Sequence, residues 1–332
     1  MATRAMFASA RTRARLYESF YLRAVSPSEP VGVWIRYTVS KAAGREAVGS
    51  VWCTVFDARR GRPYMHKRGG ERPRVPADGW IALGDGAIGP EHAHGSCGAA
   101  RWSLRFCTRE RELRHLSPAW LYRAPLPRTK LTSPAPAASF DGVLELDGRA
   151  PIELRGWPGM VGHNWGSEHA ARWIWLHGIA FAGAPGAWLD VALGRLALAG
   201  RLTPWAASGV LSQDGARHRL GGVAARGTRV SESPAGCALA LAGADGLTVR
   251  AQVDVPTEAA AGWRYADPGG RQTSAPEREH DVVNCSVAAL ALTVARPGGA
   301  ATILRSEHGG VYELGMRERD HGVPIAPFAD GA

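Results

Sequence analysis

A two-residue alternation of apolar side chains restricts the fold of this sequence more than any other feature. The odd positions of segment 31–39 are all apolar: Val31, Val33, Ile35, Tyr37 and Val39. Successive side chains of a strand point to opposite faces, so the pattern is typical of a strand with one buried face. Turn signals recur at short intervals, and 41 glycines and 22 prolines interrupt the windows where long helices could form. The sequence therefore predicts a mainly β protein whose many short strands form a sandwich or a barrel.

Chain length indicates two domains. One hydrophobic core seldom organises more than about 250–300 residues, and this chain has 332. We place the boundary where strand-like sequence gives way to Gly, Arg and Pro, which predicts a domain over 16–195 that carries the candidate site and a second domain over 196–322. Segment 123–139 contains four prolines, and we expect it to be an extended connection over the surface.

Cysteine usage and charge indicate the compartment and the partners. The five cysteines are scattered without a C-x-x-C pair, which favours buried thiols in a reducing compartment. No long apolar run or signal-like start is present, so we expect a cytoplasmic protein. Arginine carries most of the formal charge of +10 and is spread along the chain, so a compositional bias accounts for it. We expect no nucleic-acid partner and at most peripheral membrane contact, and we leave the oligomeric state open.

Several common catalytic signatures are missing. The sequence has neither a P-loop nor a G-x-G-x-x-G turn, and segment 95–98 falls short of a nucleophile elbow. His92 and His94 could share a metal ion if they lie on a strand, but a solvated loop is the favoured interpretation, because no third ligand is evident. We therefore expect no cofactor and no metal.

Trp, His and carboxylate side chains are concentrated between Gly156 and Gly178. In a strand, His163 and Trp165 share one face, and Trp173, Trp175 and His177 form a second one-sided stripe. Turned inward, such stripes would line an apolar cavity with a few titratable groups, the usual composition of a small-molecule site. The alternative is that the tryptophans are core residues and the histidines are hydrogen-bonded spacers.

Three segments carry a resemblance to a known family: Glu18–Arg23 with Val33–Thr38, the motif His163-Asn164-Trp165-Gly166, and Arg172–His177 running on to Trp188-Leu189-Asp190. The sequence resembles the lipocalin-like family that includes carotenoid 1,2-hydratases (hydroxyneurosporene synthases) and their two-barrel relatives. The resemblance implies two lipocalin-like (calycin-type) antiparallel β-barrel domains. The resemblance spans most of the first half of the chain. The second half is similar only in its pattern of strands and turns.

The resemblance also implies a chemistry. In the hydratases an Asp-His-x-Trp motif and a later Tyr-x-Asp are implicated in protonating an alkene and adding water. This chain keeps His163, Trp165 and Asp190, but it has Gly162 in place of the aspartate and Trp188 in place of the tyrosine. These departures leave open a sibling reaction, such as cyclisation or isomerisation of another polyene or terpenoid.

Candidate roles follow for each residue. Burial in an apolar cavity would keep Asp190 protonated as the catalytic acid, His163 would hold water or accept a proton, and Glu168 is a reserve acid. Five residues are expected to bind the substrate: Trp165, Trp173, Trp175, His177 and Trp188. The predicted function is a cofactor-independent acid/base enzyme acting on an apolar isoprenoid or polyene. The alternatives are a non-catalytic lipid- or pigment-binding protein and a scaffold whose tryptophans only pack.

Overall fold

A computed structural model describes residues 3–198, 200–222, 227–243, 246–266 and 279–329. Antiparallel strands form most of these ranges, and no α-helix occurs within them. Short 3-10 turns interrupt the strands, among them Phe7–Ser9, Ala119–Tyr122 and Thr257–Ala259. The expectation of a mainly β protein is confirmed. No helix in the described part of the chain is long and apolar enough to cross a membrane.

The first sheet contains eleven strands: β1 (Leu16–Val25), β2 (Val31–Lys41), β3 (Val48–Asp57), β4 (Tyr64–Glu71), β5 (Ile81–Leu83), β6 (Gly86–Ile88), β7 (His92–Cys97), β8 (Ala100–Cys107), β9 (Leu113–Arg114), β10 (Thr129–Leu146) and β11 (Ile152–Gly166). Their order is β4-β3-β2-β1-β11-β10-β8-β7-β6-β5, with β9 paired to β10. The sheet curls until β4 approaches β7, where the hydroxyl of Tyr64 donates to the carbonyl of Cys97 at 2.8 Å. It forms the first barrel.

The second sheet is built from β12 (Arg172–Gly178), β13 (Trp188–Arg195), β16 (Ala206–Gln213), β17 (Ala216–Gly221), β18 (Arg229–Ser233), β19 (Gly236–Ala242), β20 (Thr248–Asp254), β21 (Ala261–Ala266), β22 (Glu279–Ala295), β23 (Thr302–Met316) and β24 (Ile325–Ala329). Its order is β17-β16-β13-β12-β23-β22-β20-β19-β18; β21 pairs with β22, and β24 runs parallel to β21. A bridge joins Leu220 of β17 to Gly243, which directly follows β19. A separate hairpin joins β14 (Ala197–Leu198) to β15 (Arg201–Leu202). The expected two-barrel architecture is confirmed.

The chain changes from one sheet to the other between Gly166 and Arg172, earlier than the boundary that we placed after residue 195. Strands β12 and β13 belong to the second barrel because β12 pairs with β23, near the end of the chain. Such long-range pairing leaves no mark in local composition. The proline-rich segment also differs from expectation, since residues from Thr129 onward form β10. Its ladder shifts register between Thr132 and Ala138, where the prolines are tolerated as bulges.

The two barrels pack through strands that are buried on both faces. Every residue of β1 is buried, because Phe20 and Leu22 point into the first barrel while Tyr21 and Arg23 point toward the second. Aromatic rings meet at this interface: the ring centroids of Trp52 and Trp263, from opposite barrels, lie 4.8 Å apart. For the strands at this interface, alternation in the sequence identifies one buried face, and packing of the barrels against each other buries the opposite face.

Candidate active site

A cavity of about 520 Å³ lies between the barrels and is mostly apolar. The first barrel contributes Tyr17, Tyr21 and Trp34 to its wall, and the second contributes Trp173, Trp175 and Tyr265. The loop between β9 and β10 lines it with Leu121, Leu126 and Pro127. We expected the cavity inside the first half, but it is formed by both halves.

Strand β12 positions the two tryptophans. Ile174 and Leu176 belong to the core of the second barrel, so Trp173 and Trp175 on the opposite face of the strand point toward the first barrel. The register with β23 places Glu313 directly opposite Trp175. This pairing brings a carboxyl group into the aromatic wall.

Glu313 has the environment of a proton donor. The indole N–H of Trp173 donates to Oε1 at 2.9 Å, and the amide of Asn284 donates to Oε2 at 3.1 Å. Burial raises the pKa of Glu313, and the opposing effects of Arg36 and these two hydrogen bonds do not cancel it. Among the described residues that line the cavity, Glu313 alone carries a carboxyl side chain. Our reading of the sequence missed it, although it is the only charged residue between Gly309 and Met316.

Asp190 lies fully buried behind the wall. Its Oδ2 accepts a hydrogen bond from Ser133 at 2.6 Å and lies 3.3 Å from Nε2 of His115, while its Oδ1 accepts from Nε1 of Trp175 at 3.1 Å. Burial favours protonation, but the charge and hydrogen bond of His115, with Ser133 and His177, outweigh it, so the pKa of Asp190 is lowered. This corrects our expectation of a proton-donating Asp190. It is an ionised group that contacts the wall residues His115 and Trp175 from behind.

His163 faces the interior of the first barrel and not the cavity. Its Nε2 lies 2.7 Å from Oε1 of Glu18, and its ring stacks on Phe20 and Trp165 at centroid distances of 4.0 and 4.6 Å. Backbone amides of the N-terminal segment also donate to Glu18, so this cluster fastens that segment to the barrel. The residue between His163 and Trp165 on β11, Asn164, is the one that lines the cavity.

The remaining candidates also lie outside the cavity lining. Glu168 pairs with Arg128 at the surface. Trp188 belongs to the buried core, with the guanidinium of Arg217 5.1 Å from its ring centroid. His177, on the same face of β12 as the two wall tryptophans, has its Nε2 2.9 Å from the carbonyl oxygen of Pro136.

We expect His177 to make stability depend on pH. Burial lowers the pKa of this histidine to about 4, from 6.5. Between those values the unfolded chain binds a proton that the folded chain does not, so stability falls as the pH decreases from 6.5 to 4. At pH 5 this effect lowers the free energy of unfolding by about 2 kcal/mol relative to neutral pH.

Urea unfolding at pH 7.5 and pH 5 measures the effect. His177→Gln keeps a donor for Pro136 but does not titrate, so its stability should fall less over this interval than that of the wild type. His280, whose pKa is lowered to about 3 by burial, remains in both proteins and contributes equally. An identical pH dependence in the variant would contradict the prediction.

Tyr21 occupies the space that a side chain at position 162 would need. A Cβ atom at Gly162 would lie 2.1 Å from Cζ of Tyr21, since the two residues are paired between β1 and β11. Gly162→Ala is therefore expected to destabilise the protein by about 1–3 kcal/mol, the usual cost of overpacking a well-filled site. Urea unfolding checks this, with Gly186→Ala as the control, because a Cβ there meets no atom within 4 Å. Equal stability of both variants would show that the Tyr21 ring moves aside freely.

Comparisons with known proteins show a relationship in fold. No family model and no curated protein matches the sequence. A solved structure from Nitrosomonas europaea, provisionally named AttH, is 12% identical, with a TM-score of 0.53 over 96% of this chain and 97% of that chain. Kievitone hydratase from Nectria haematococca is 8% identical, with a TM-score of 0.46 over 94% of this chain and 92% of that chain. The first likeness shows that the whole two-barrel arrangement recurs in another protein.

Proposed function

We propose that the cavity between the barrels is the active site of a cofactor-independent acid/base enzyme that protonates a carbon–carbon double bond of an apolar isoprenoid or polyene. Hydration, cyclisation or isomerisation would complete the reaction. The observation that carries the proposal is Glu313, a buried carboxyl group with a raised pKa in an aromatic wall. Glu313 has the raised pKa that we had expected for Asp190.

The first step places the proton of Glu313 on one alkene carbon and leaves a carbocation on the other. The π electron pair forms the new C–H bond, and Glu313 becomes a carboxylate. The N–H groups of Trp173 and Asn284 already point at its oxygens and would stabilise the negative charge as it develops. These donors are in place before the reaction, so little reorganisation is required.

The aromatic wall would stabilise the carbocation. Each ring face can contribute about 0.5–2 kcal/mol to a nearby cation. Trp175 has an additional advantage, because its N–H donates to the ionised Asp190 and a charge-assisted bond of this kind enriches the ring in electron density. In this proposal Asp190 positions and polarises Trp175, and it does not touch the substrate.

The opposite wall could hold a water molecule for hydration. Tyr21 and Asn164 line it. Burial and the negative charge of Asp190 raise the pKa of Tyr21, so its hydroxyl stays protonated and can donate or accept a hydrogen bond. These two residues take the role that we had assigned to His163.

Reaction in deuterated water tests the proposal. The enzyme would be incubated with a panel of acyclic isoprenoids and polyenes, and the products analysed by mass spectrometry. Alkene protonation should introduce one carbon-bound deuterium, with an added water for hydration and without it for cyclisation or isomerisation. Heat-denatured protein is the control.

The alternative is a non-catalytic carrier of a lipid or pigment. It is favoured by one observation, namely that Asp190, His163 and Glu168 do not meet at one site. A carrier would bind members of the panel and release them unchanged, without deuterium. Tight binding without isotope incorporation for every compound would therefore favour the carrier.

A further inference from the structure

Arg36 is a buried cation in the wall of the cavity. It lies on β2, the residue is 3% exposed, and its Nε donates to Oγ of Ser19 at 2.9 Å. In the part of the chain that the structure describes, Nη1 has no hydrogen-bond partner, and no carboxylate oxygen lies within 4.0 Å of the guanidinium. A buried guanidinium normally has an anionic partner, because removing it from water is costly.

Aromatic rings hold this guanidinium in place without satisfying its donors. Its central carbon lies 4.3 Å from the ring centroid of Tyr265, 5.4 Å from that of Tyr17 and 5.3 Å from that of Trp52. Ring faces attract the positive charge but do not accept its N–H groups as a carboxylate does. The side chain is therefore positioned in advance, with hydrogen-bonding capacity left over.

Two further polar groups of the same wall lack partners. The hydroxyl of Tyr17 and Oδ1 of Asn164 are both buried, and neither has a hydrogen-bond partner among the described residues. Ser19, which orients Arg36, is paired with Asn164 across β1 and β11 and lies on the same face of β1 as Tyr17. One patch of the first barrel thus combines a cation, a hydroxyl and an amide beside an apolar cavity.

We propose that this patch binds a carboxylate at one end of the substrate, with Arg36 as the principal donor and Tyr17 as the second. The inference rests on the proposed function, because it places the substrate in this cavity. A guanidinium matches the two oxygens of a carboxylate with parallel N–H groups. Among the described residues that line the cavity, Arg36 is the only arginine and no lysine is present, so a diphosphate would remain largely uncompensated.

A carboxylate on the substrate would also assist the proposed chemistry. An uncompensated guanidinium would repel a carbocation formed in the same cavity. Pairing with the substrate neutralises Arg36 before Glu313 delivers its proton. The apolar skeleton would then extend from Arg36 toward Trp173 and Trp175.

Three compounds with one C15 skeleton test the assignment: farnesoic acid, farnesol and farnesyl diphosphate. Binding to the intact protein would be followed at pH 8 by quenching of tryptophan fluorescence. The acid should bind at least about tenfold more tightly than the alcohol and more tightly than the diphosphate. Arg36→Met should weaken binding of the acid by at least about tenfold and change binding of the alcohol by less than about threefold.

Two more variants keep the result interpretable. Arg36→Lys retains the charge but lacks the planar guanidinium, so its preference for the acid should be intermediate. If Arg36→Met does not fold, the lysine variant takes its place in the comparison. Tyr17→Phe should lower the preference for the acid by about threefold. Equal losses for acid and alcohol, tighter binding of the diphosphate, or no binding of any compound at its solubility limit would overturn the proposal.

The measurements do not depend on turnover. Glu313→Gln should keep the preference for the acid even if it abolishes catalysis. If the protein prefers the acid but never incorporates deuterium, the carboxylate site is supported and the proposed enzymatic activity is contradicted.

Discussion

Glu313→Gln is expected to lower turnover by about a hundredfold or more, the scale seen when a general acid is removed. Glutamine has nearly the same shape, and its carbonyl can still accept the indole N–H of Trp173, so the fold and ligand binding should persist. The amide cannot deliver a proton at neutral pH. Turnover and binding of one substrate would be measured on the same preparation.

A pH profile adds a readout that a purely structural role would not change. The protonated form of Glu313 is the donor, and burial raises its pKa, so wild-type turnover should decline as the pH rises through that value. The residual activity of Glu313→Gln should lack this decline. Glu168→Gln is the matched control, because Glu168 is a surface carboxylate paired with Arg128. Full turnover in the Glu313 variant would show that another residue donates the proton, and Tyr21 would be the next candidate.

Local sequence pattern was sufficient for the strands and for much of the aromatic wall. Alternation placed Trp173 and Trp175 on one face of a strand, and both line the cavity. Asp190 was singled out through the family resemblance and is fully buried among polar partners. Its protonation state was predicted wrongly, because burial alone was considered. His115, just after β9, and Ser133, on β10, belong to the other barrel, and their effect on the pKa could not be inferred from the neighbours of Asp190 in sequence.

The rest of the site depends on how the barrels pack. A strand pattern shows that His163 and Asn164 point in opposite directions, but it does not show which of the two faces the partner barrel. Glu313 becomes relevant through the pairing of β12 with β23, and Arg36 through the packing of β2 against the second barrel. These contacts join positions far apart in the chain, so no local motif contains them.

Removal of the Asp190 side chain should have the largest effect on stability. Asp190→Ala leaves His115, Ser133 and the N–H of Trp175 without their common acceptor in a site that water does not reach. Breaking a buried charged network in this way costs about 3–5 kcal/mol. Asp190→Asn retains one acceptor oxygen and should cost about 1–3 kcal/mol. Urea unfolding at pH 7 measures both variants.

The control for stability is Asp147→Ala, which removes an exposed carboxylate paired with Arg101 and should change stability by less than about 0.5 kcal/mol. The pKa of Asp190 is lowered by folding, so its contribution is present above pH 4 and is lost in stronger acid as the pH falls through the folded value. A change at pH 7 no larger than that of Asp147→Ala would show that the network around Asp190 contributes little.

A double-mutant cycle tests whether Asp190 acts on catalysis through Trp175. Trp175→Phe keeps an aromatic face but removes the N–H that donates to Asp190. If the carboxylate works by holding and polarising the indole, Asp190→Asn should lower turnover by about tenfold in the wild type and by much less in the Trp175→Phe background. Additive effects would mean that Asp190 acts on catalysis through a residue other than Trp175. His115 would then be the first candidate, since it is the other residue of the cavity wall that Asp190 contacts.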